Sequence, residues 1–170
     1  GVRIINAGGV APGPSYVNTM DYFADAAPGN STDFGDLGTT RNTNLASCAS
    51  RTRGIWAGDA GGYENVIEYA TIATLGNAVN FGETSSNHSE GPTAFSSSTR
   101  GVIAGGSNAG NVIEYITIAT TGNAFDFGDM TTINQGAGSS ANSTRGVFIA
   151  GYIAANINTI EYVTISTTGN

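Results

Sequence analysis

Short runs of alternating apolar and polar residues, each closed by glycine or asparagine, recur along this chain. In Val66-Ile-Glu-Tyr-Ala-Thr-Ile72 the alternation places Ile67, Tyr69 and Thr71 on one face of an extended strand, with Val66, Glu68, Ala70 and Ile72 on the other. Both faces carry apolar groups, so the strand is predicted to lie between two packed layers. The same phrase returns around Tyr22, Tyr115 and Tyr162, at intervals of 47, 46 and 47 residues, and the first copy is the most divergent. A unit of this size cannot hold a core alone and must stack on its neighbours.

Aligned on the tyrosines, the chain divides into repeats 1–53, 54–100, 101–145 and a truncated 146–170. Each full repeat has a glycine-ending apolar run, the tyrosine strand, a Thr-Gly-Asn-type turn and a short strand around Phe34, Phe81 or Phe127. A Ser/Ala/Thr-rich stretch then ends in Thr-Arg-Gly. The β-branched and aromatic runs read as strands, and no apolar spacing follows a helical period. Four short strands per unit of about 47 residues predict an all-β fold of four-stranded antiparallel blades, a segment of a β-propeller. A β-solenoid is the alternative. The first copy lacks its inner strand and the last its Phe-Gly strand, so the chain is expected to be part of something longer or to be completed by strand addition.

Composition narrows the function. Charged residues make up 11%, against roughly 25% in globular proteins generally. The net charge is −7, and the six basic residues are all arginine. Such a surface does not suit nucleic acid, which is bound by replacing condensed counterions. No apolar run is long enough for a membrane-spanning helix. The single cysteine, Cys48, allows no internal disulfide and no zinc spacing, and reads as a buried strand residue.

The order of glycine-ending strand, tyrosine strand, aromatic outer strand and basic residue resembles the kelch repeat. Gly8-Gly9 and Gly105-Gly106 match its double glycine, the four tyrosines match its tyrosine, and the phenylalanines stand where it has tryptophan. Runs such as Asn111-Val-Ile-Glu-Tyr-Ile-Thr-Ile-Ala-Thr-Thr-Gly-Asn123 look like repeats of structural proteins from tailed bacteriophages, cyanophages especially. That resemblance implies a virion location, in a capsid appendage or tail. It brings no catalytic residues.

Candidate chemistry is sparse. Asp33-Phe-Gly35 and Asp126-Phe-Gly128 spell a kinase metal triplet, but recur once per repeat without a phosphate loop, and read as strand and turn. Arg53, Arg100 and Arg145 are expected to pair with Asp21, Glu68, Glu114 and Glu161, since a guanidinium met by a carboxylate is the cheaper way to bury either. His88, the only histidine, reads as a solvated loop residue. Asp36, Glu83 and Asp129 lack the dense acidic spacing of a calcium loop, so no metal and no cofactor is expected. Tyr16, Tyr63 and Tyr152, in or beside one turn, are candidate surface contacts, and Trp56 also departs from the consensus.

The sequence therefore points to a non-enzymatic virion structural or interaction protein, displaying loops to other virion proteins, to further repeats of its own kind or to the host surface. A carbohydrate-binding adhesin is the alternative, and an enzyme of propeller fold a remote third.

Overall fold

A computed structural model describes residues 3–169 apart from 14, 25, 27, 28, 42, 43 and 59–64. Among the described residues every regular element is a β-strand and every pairing is antiparallel. The strands make four separate sheets in chain order. The first holds β1 (Arg3–Ala7), β2 (Val10–Ala11), β3 (Ser15–Ala24) and β4 (Thr32–Arg41), with β3 pairing the other three. The second is the meander β5 (Ala46–Ala49), β6 (Arg53–Ala57), β7 (Val66–Thr71) and β8 (Val79–Glu83). The third repeats it with β9 (Thr93–Ser96), β10 (Arg100–Ala104), β11 (Val112–Thr117) and β12 (Phe125–Asp129). The fourth has β13 (Gly138–Ala141), β14 (Arg145–Ile153) and β15 (Ala155–Thr164).

The expected all-β fold with four-stranded antiparallel sheets is present, and no parallel rung of a solenoid occurs among the described residues. No sheet closes on itself. The small-residue strands β5, β9 and β13 each begin a sheet by pairing with the glycine-ending strand that follows, and they lie side by side. A tight turn makes that pairing: in the second sheet Ser50 Oγ accepts from the N–H groups of Thr52 and Arg53. Each sheet thus spans the Thr-Arg-Gly segment rather than starting after it.

A bulge recurs opposite the tyrosine strand. Ile67 faces Gly82 but Glu68 faces Asn80, which leaves Phe81 as the extra residue. Phe34 and Phe127 occupy the same place. An extra residue re-aims the side chain, and all three rings turn into the core at 2% exposure. There each lies edge-on to its tyrosine, with centroids 6.0 Å apart for Tyr22–Phe34, 5.8 Å for Tyr69–Phe81 and 6.2 Å for Tyr115–Phe127.

The core consists of the three junctions between successive sheets. The first joins Met20, Phe34 and Leu37 to Trp56 and Ala70; the second joins Ile55, Ile67 and Phe81 to Ile103, Ile116 and Ile118; the third joins Phe95, Val102 and Ile113 to Phe148, Val163 and Ile165. Main-chain bonds stitch the same junctions. Gly76 and Gly122, in the Gly-Asn turns, donate to the carbonyls of Phe34 and Phe81 in the preceding sheet, at 2.9 and 2.8 Å. Asn77 and Asn123 accept from the N–H groups of Asp36 and Glu83 through their side-chain oxygens, at 3.1 Å each. The approach is so close that a Cβ on Gly35 would sit 2.6 Å from the Gly76 carbonyl carbon. The Phe-Gly and Gly-Asn phrases are therefore two halves of one contact.

Candidate functional site

The repeated arginines do not meet the repeated carboxylates. Arg53 pairs with Thr71 in register, and Ile55 with Tyr69, so Arg53 shares the tyrosine's face of the sheet while Glu68, one residue away, points to the other. The same holds in the other sheets. Each guanidinium lies over a tyrosine ring, at 4.8 Å for Arg3–Tyr22, 4.4 Å for Arg53–Tyr69, 4.1 Å for Arg100–Tyr115 and 4.3 Å for Arg145–Tyr162. Arg3, Arg53 and Arg100 then reach forward to the carbonyls of Ile72, Ile118 and Ile165 in the next sheet, at 2.7, 2.8 and 2.8 Å. The expected ion pairs are replaced by a stack and a carbonyl bond, which suit a planar guanidinium.

The carboxylates reach backward instead. Glu68 accepts from the Gly38 N–H at 2.6 Å, Glu114 from the N–H groups of Ser85 and Ser86 at 2.8 and 3.2 Å, and Glu161 from the Thr131 N–H at 3.0 Å and its hydroxyl. Asp21, on the outer face of the first sheet, has no sheet behind it among the described residues. Glu68 also gains a cation. Arg41, fully buried, meets Glu68 at 2.7 Å and donates to the Gly58 carbonyl at 2.7 Å.

His88 is also fully buried, which corrects the solvated-loop expectation. Its Nδ1 bonds the Gly105 carbonyl at 2.7 Å, so that nitrogen carries a proton, and its Nε2 faces Glu114 at 2.7 Å. Asn134 completes the series by donating to the Ala150 carbonyl at 2.7 Å. Arg41, His88 and Asn134 each stand seven residues after a core phenylalanine. That register was the signal available in the sequence; it is hidden because three different residue types share one position.

Burial opposes ionisation of Glu114, but the bonds from His88 and Ser85 outweigh it and hold the carboxyl below its ordinary value. Burial pushes the Cys48 thiol up to about 12. Although Cys48 keeps some surface, its sulfur faces the second junction, where a Cβ on Gly101 would lie 2.8 Å from it. Among the described residues no group of three His, Cys, Asp or Glu could hold a metal, and no helix is long and apolar enough to cross a membrane. Trp56 is a buried strand residue at 4% exposure.

Two of the aromatic candidates line an open site with ligand-like character. Tyr16 lies in the β2–β3 hairpin and Tyr152 in the β14–β15 hairpin, on paired strands rather than in turns. Both are exposed, and together they line a cavity of about 480 Å³ with Asn44, Glu90, Gly91, Gln135 and Gly136. Its rim is fixed by the main chain: Tyr152 and Gln135 exchange two bonds at 2.9 and 3.3 Å, and Gly136 donates to Gly91 at 2.7 Å. Glu90 is held at a φ of 49°, an uncommon conformation for a residue with a side chain. Two phenols, two amides and one carboxylate suit a neutral polyhydroxylated ligand better than an anion. Tyr63 lies outside the described residues.

The fold and these junctions define an all-β repeat protein assembled from stacked sheets. No family model matches the sequence, and no curated protein is significantly similar to it.

Proposed function

We propose that this chain is a non-enzymatic structural and interaction protein, a kelch-like β-propeller segment that serves as a scaffold on a phage capsid appendage or tail. The observation that carries the reading is the pair of end faces. Three junctions bury the forward face of one sheet against the back of the next. The forward face of the fourth sheet leaves Ile149, Ile160 and Tyr162 at 41%, 70% and 62% exposure, and the back of the first leaves Ile4 and Phe23 at 46% and 41%. Exposed faces built like buried ones fit contact with further repeats or with other virion proteins. The buried ionisable residues Arg41, Glu68, His88 and Glu114 are all engaged in inter-sheet bonds, which supports a role without catalysis. Antibody against the chain should label purified phage particles in electron micrographs; its absence from particles that are otherwise complete would refute the virion role.

A carbohydrate-binding adhesin is the second reading, favoured by the cavity between Tyr16 and Tyr152. Aromatic faces stack on sugar rings while amides bond the hydroxyls. On a glycan array the wild-type chain should bind and Tyr152→Ala should not, with unchanged thermal unfolding; identical array profiles would remove this reading.

A further inference from the structure

Residues that break the repeat converge on the cavity between Tyr16 and Tyr152. The tyrosine of the core phrase follows its arginine by 16 residues in the second sheet (Arg53 to Tyr69) and by 15 in the third (Arg100 to Tyr115). In the first and fourth sheets the intervals are 19 (Arg3 to Tyr22) and 17 (Arg145 to Tyr162). The added length falls in the β2–β3 and β14–β15 hairpins, and each hairpin brings one aromatic side chain to the same cavity. Loops that depart from a repeated scaffold around one opening are where such a scaffold carries binding residues.

Glu90 is a third departure. It stands two residues after His88, as Gly136 stands two after Asn134, and both take a positive φ, 49° and 66°. Glycine accepts that backbone freely and glutamate does not, so a side chain is kept at this place against local strain. Glu90 is exposed and lines the cavity beside Gly91 and Gln135. Among the described residues no other charged side chain lines it, and Glu90 has no ion pair. Arg41 and His88 are buried and turned to Glu68 and Glu114, so neither offsets the charge at the opening.

We propose that Glu90 sets the specificity of this cavity: its carboxylate accepts from two adjacent hydroxyls of an uncharged sugar, and it repels a sugar that carries a carboxylate of its own. The inference rests on the carbohydrate reading above and adds to it the class of glycan. Hydroxyls that donate to an ionised acceptor form the stronger kind of hydrogen bond. Two like charges about 5 Å apart at a protein surface repel enough to weaken binding about tenfold.

A hexose and its hexuronate differ only in bearing a hydroxymethyl or a carboxylate at carbon 6, so the pair isolates the charge. Oligosaccharides ending in glucose or galactose, each matched with the glucuronate or galacturonate of the same linkage, are titrated against the chain by calorimetry at neutral pH. The wild type should bind at least one neutral sugar, and its uronate partner about tenfold more weakly, with the gap narrowing as added salt screens the charge. Glu90→Gln keeps an acceptor oxygen and removes the charge, and should bring the pair within about threefold. Glu90→Gly, which copies Gly136, should lose affinity for the neutral sugar while its urea midpoint stays level or rises. Uronates bound as tightly as hexoses by the wild type, or a preference that survives in Glu90→Gln, would overturn the role of Glu90 while leaving a sugar site. Binding of neither kind of sugar would remove the carbohydrate reading itself, and this inference with it.

Discussion

At the scale of single residues, position along the strand decides which partner a charge can have. Glu68 and Tyr69 are neighbours in sequence, yet one faces the preceding sheet and the other the next, so the same strand fastens two junctions with different chemistry. Removing either half of the buried Arg41–Glu68 pair strands the other charge: Glu68→Ala should lower unfolding free energy by about 3–5 kcal/mol in urea titrations. Arg100→Lys gives up the stack on Tyr115 and the fork that reaches Ile165, at a cost of about 1–2 kcal/mol. The same change at Arg145, which has the Tyr162 ring but no next sheet among the described residues, should cost less. Glu114 sets an acid limit. Because folding lowers its pKa, its contribution is fully present above the unfolded value of 4.5 and is lost as pH falls through the lower folded value. Stability measured across that acid range should fall more steeply for the wild type than for Glu114→Gln.

At the scale of elements, glycine is required where two main chains touch. A Cβ on Gly82 would collide with the Gly122 carbonyl oxygen, and its φ of 156° lies at the edge of the region that favours glycine. Neither backbone can move aside without breaking the bonds of Gly122 to Phe81 and Ala124 to Glu83. Gly82→Ala should therefore destabilise by about 1–3 kcal/mol, read from the urea midpoint, whereas Gly76→Ala has open space around its Cβ and should lose only through its positive φ. The strand order, the Phe-Gly strand and the turns were legible from the repeated phrases. The bulge was not, because an extra residue in a strand leaves no mark in its composition.

At the scale of the whole molecule, each sheet packs chiefly against its neighbours in the chain, so stability is to a first approximation a sum over sheets and junctions. The Cys48 sulfur sits in the second junction and makes that sum measurable. With its thiol pushed up to about 12, the reactive thiolate is scarce near neutral pH, and alkylation should require that junction to open. Alkylation rates that follow global unfolding across a urea series would mean the junctions open together; faster alkylation would mean that the second opens separately. The exposed end faces belong to this scale as well. Among the described residues, stacking leaves one uncovered face at each end.

The sequence by itself determined the repeat, its all-β character, the antiparallel four-stranded unit and the phenylalanine and tyrosine positions of the core. These follow from periodicity and local preference, which are properties of the chain read in order. Only the tertiary structure decided that arginine stacks on tyrosine, that Arg41, His88 and Asn134 share one role, and that Tyr16 and Tyr152 line one cavity. Those outcomes depend on which face of a strand meets which neighbouring sheet. That relation is fixed by bulges and stacking across some forty residues of chain, and local pattern carries no record of it.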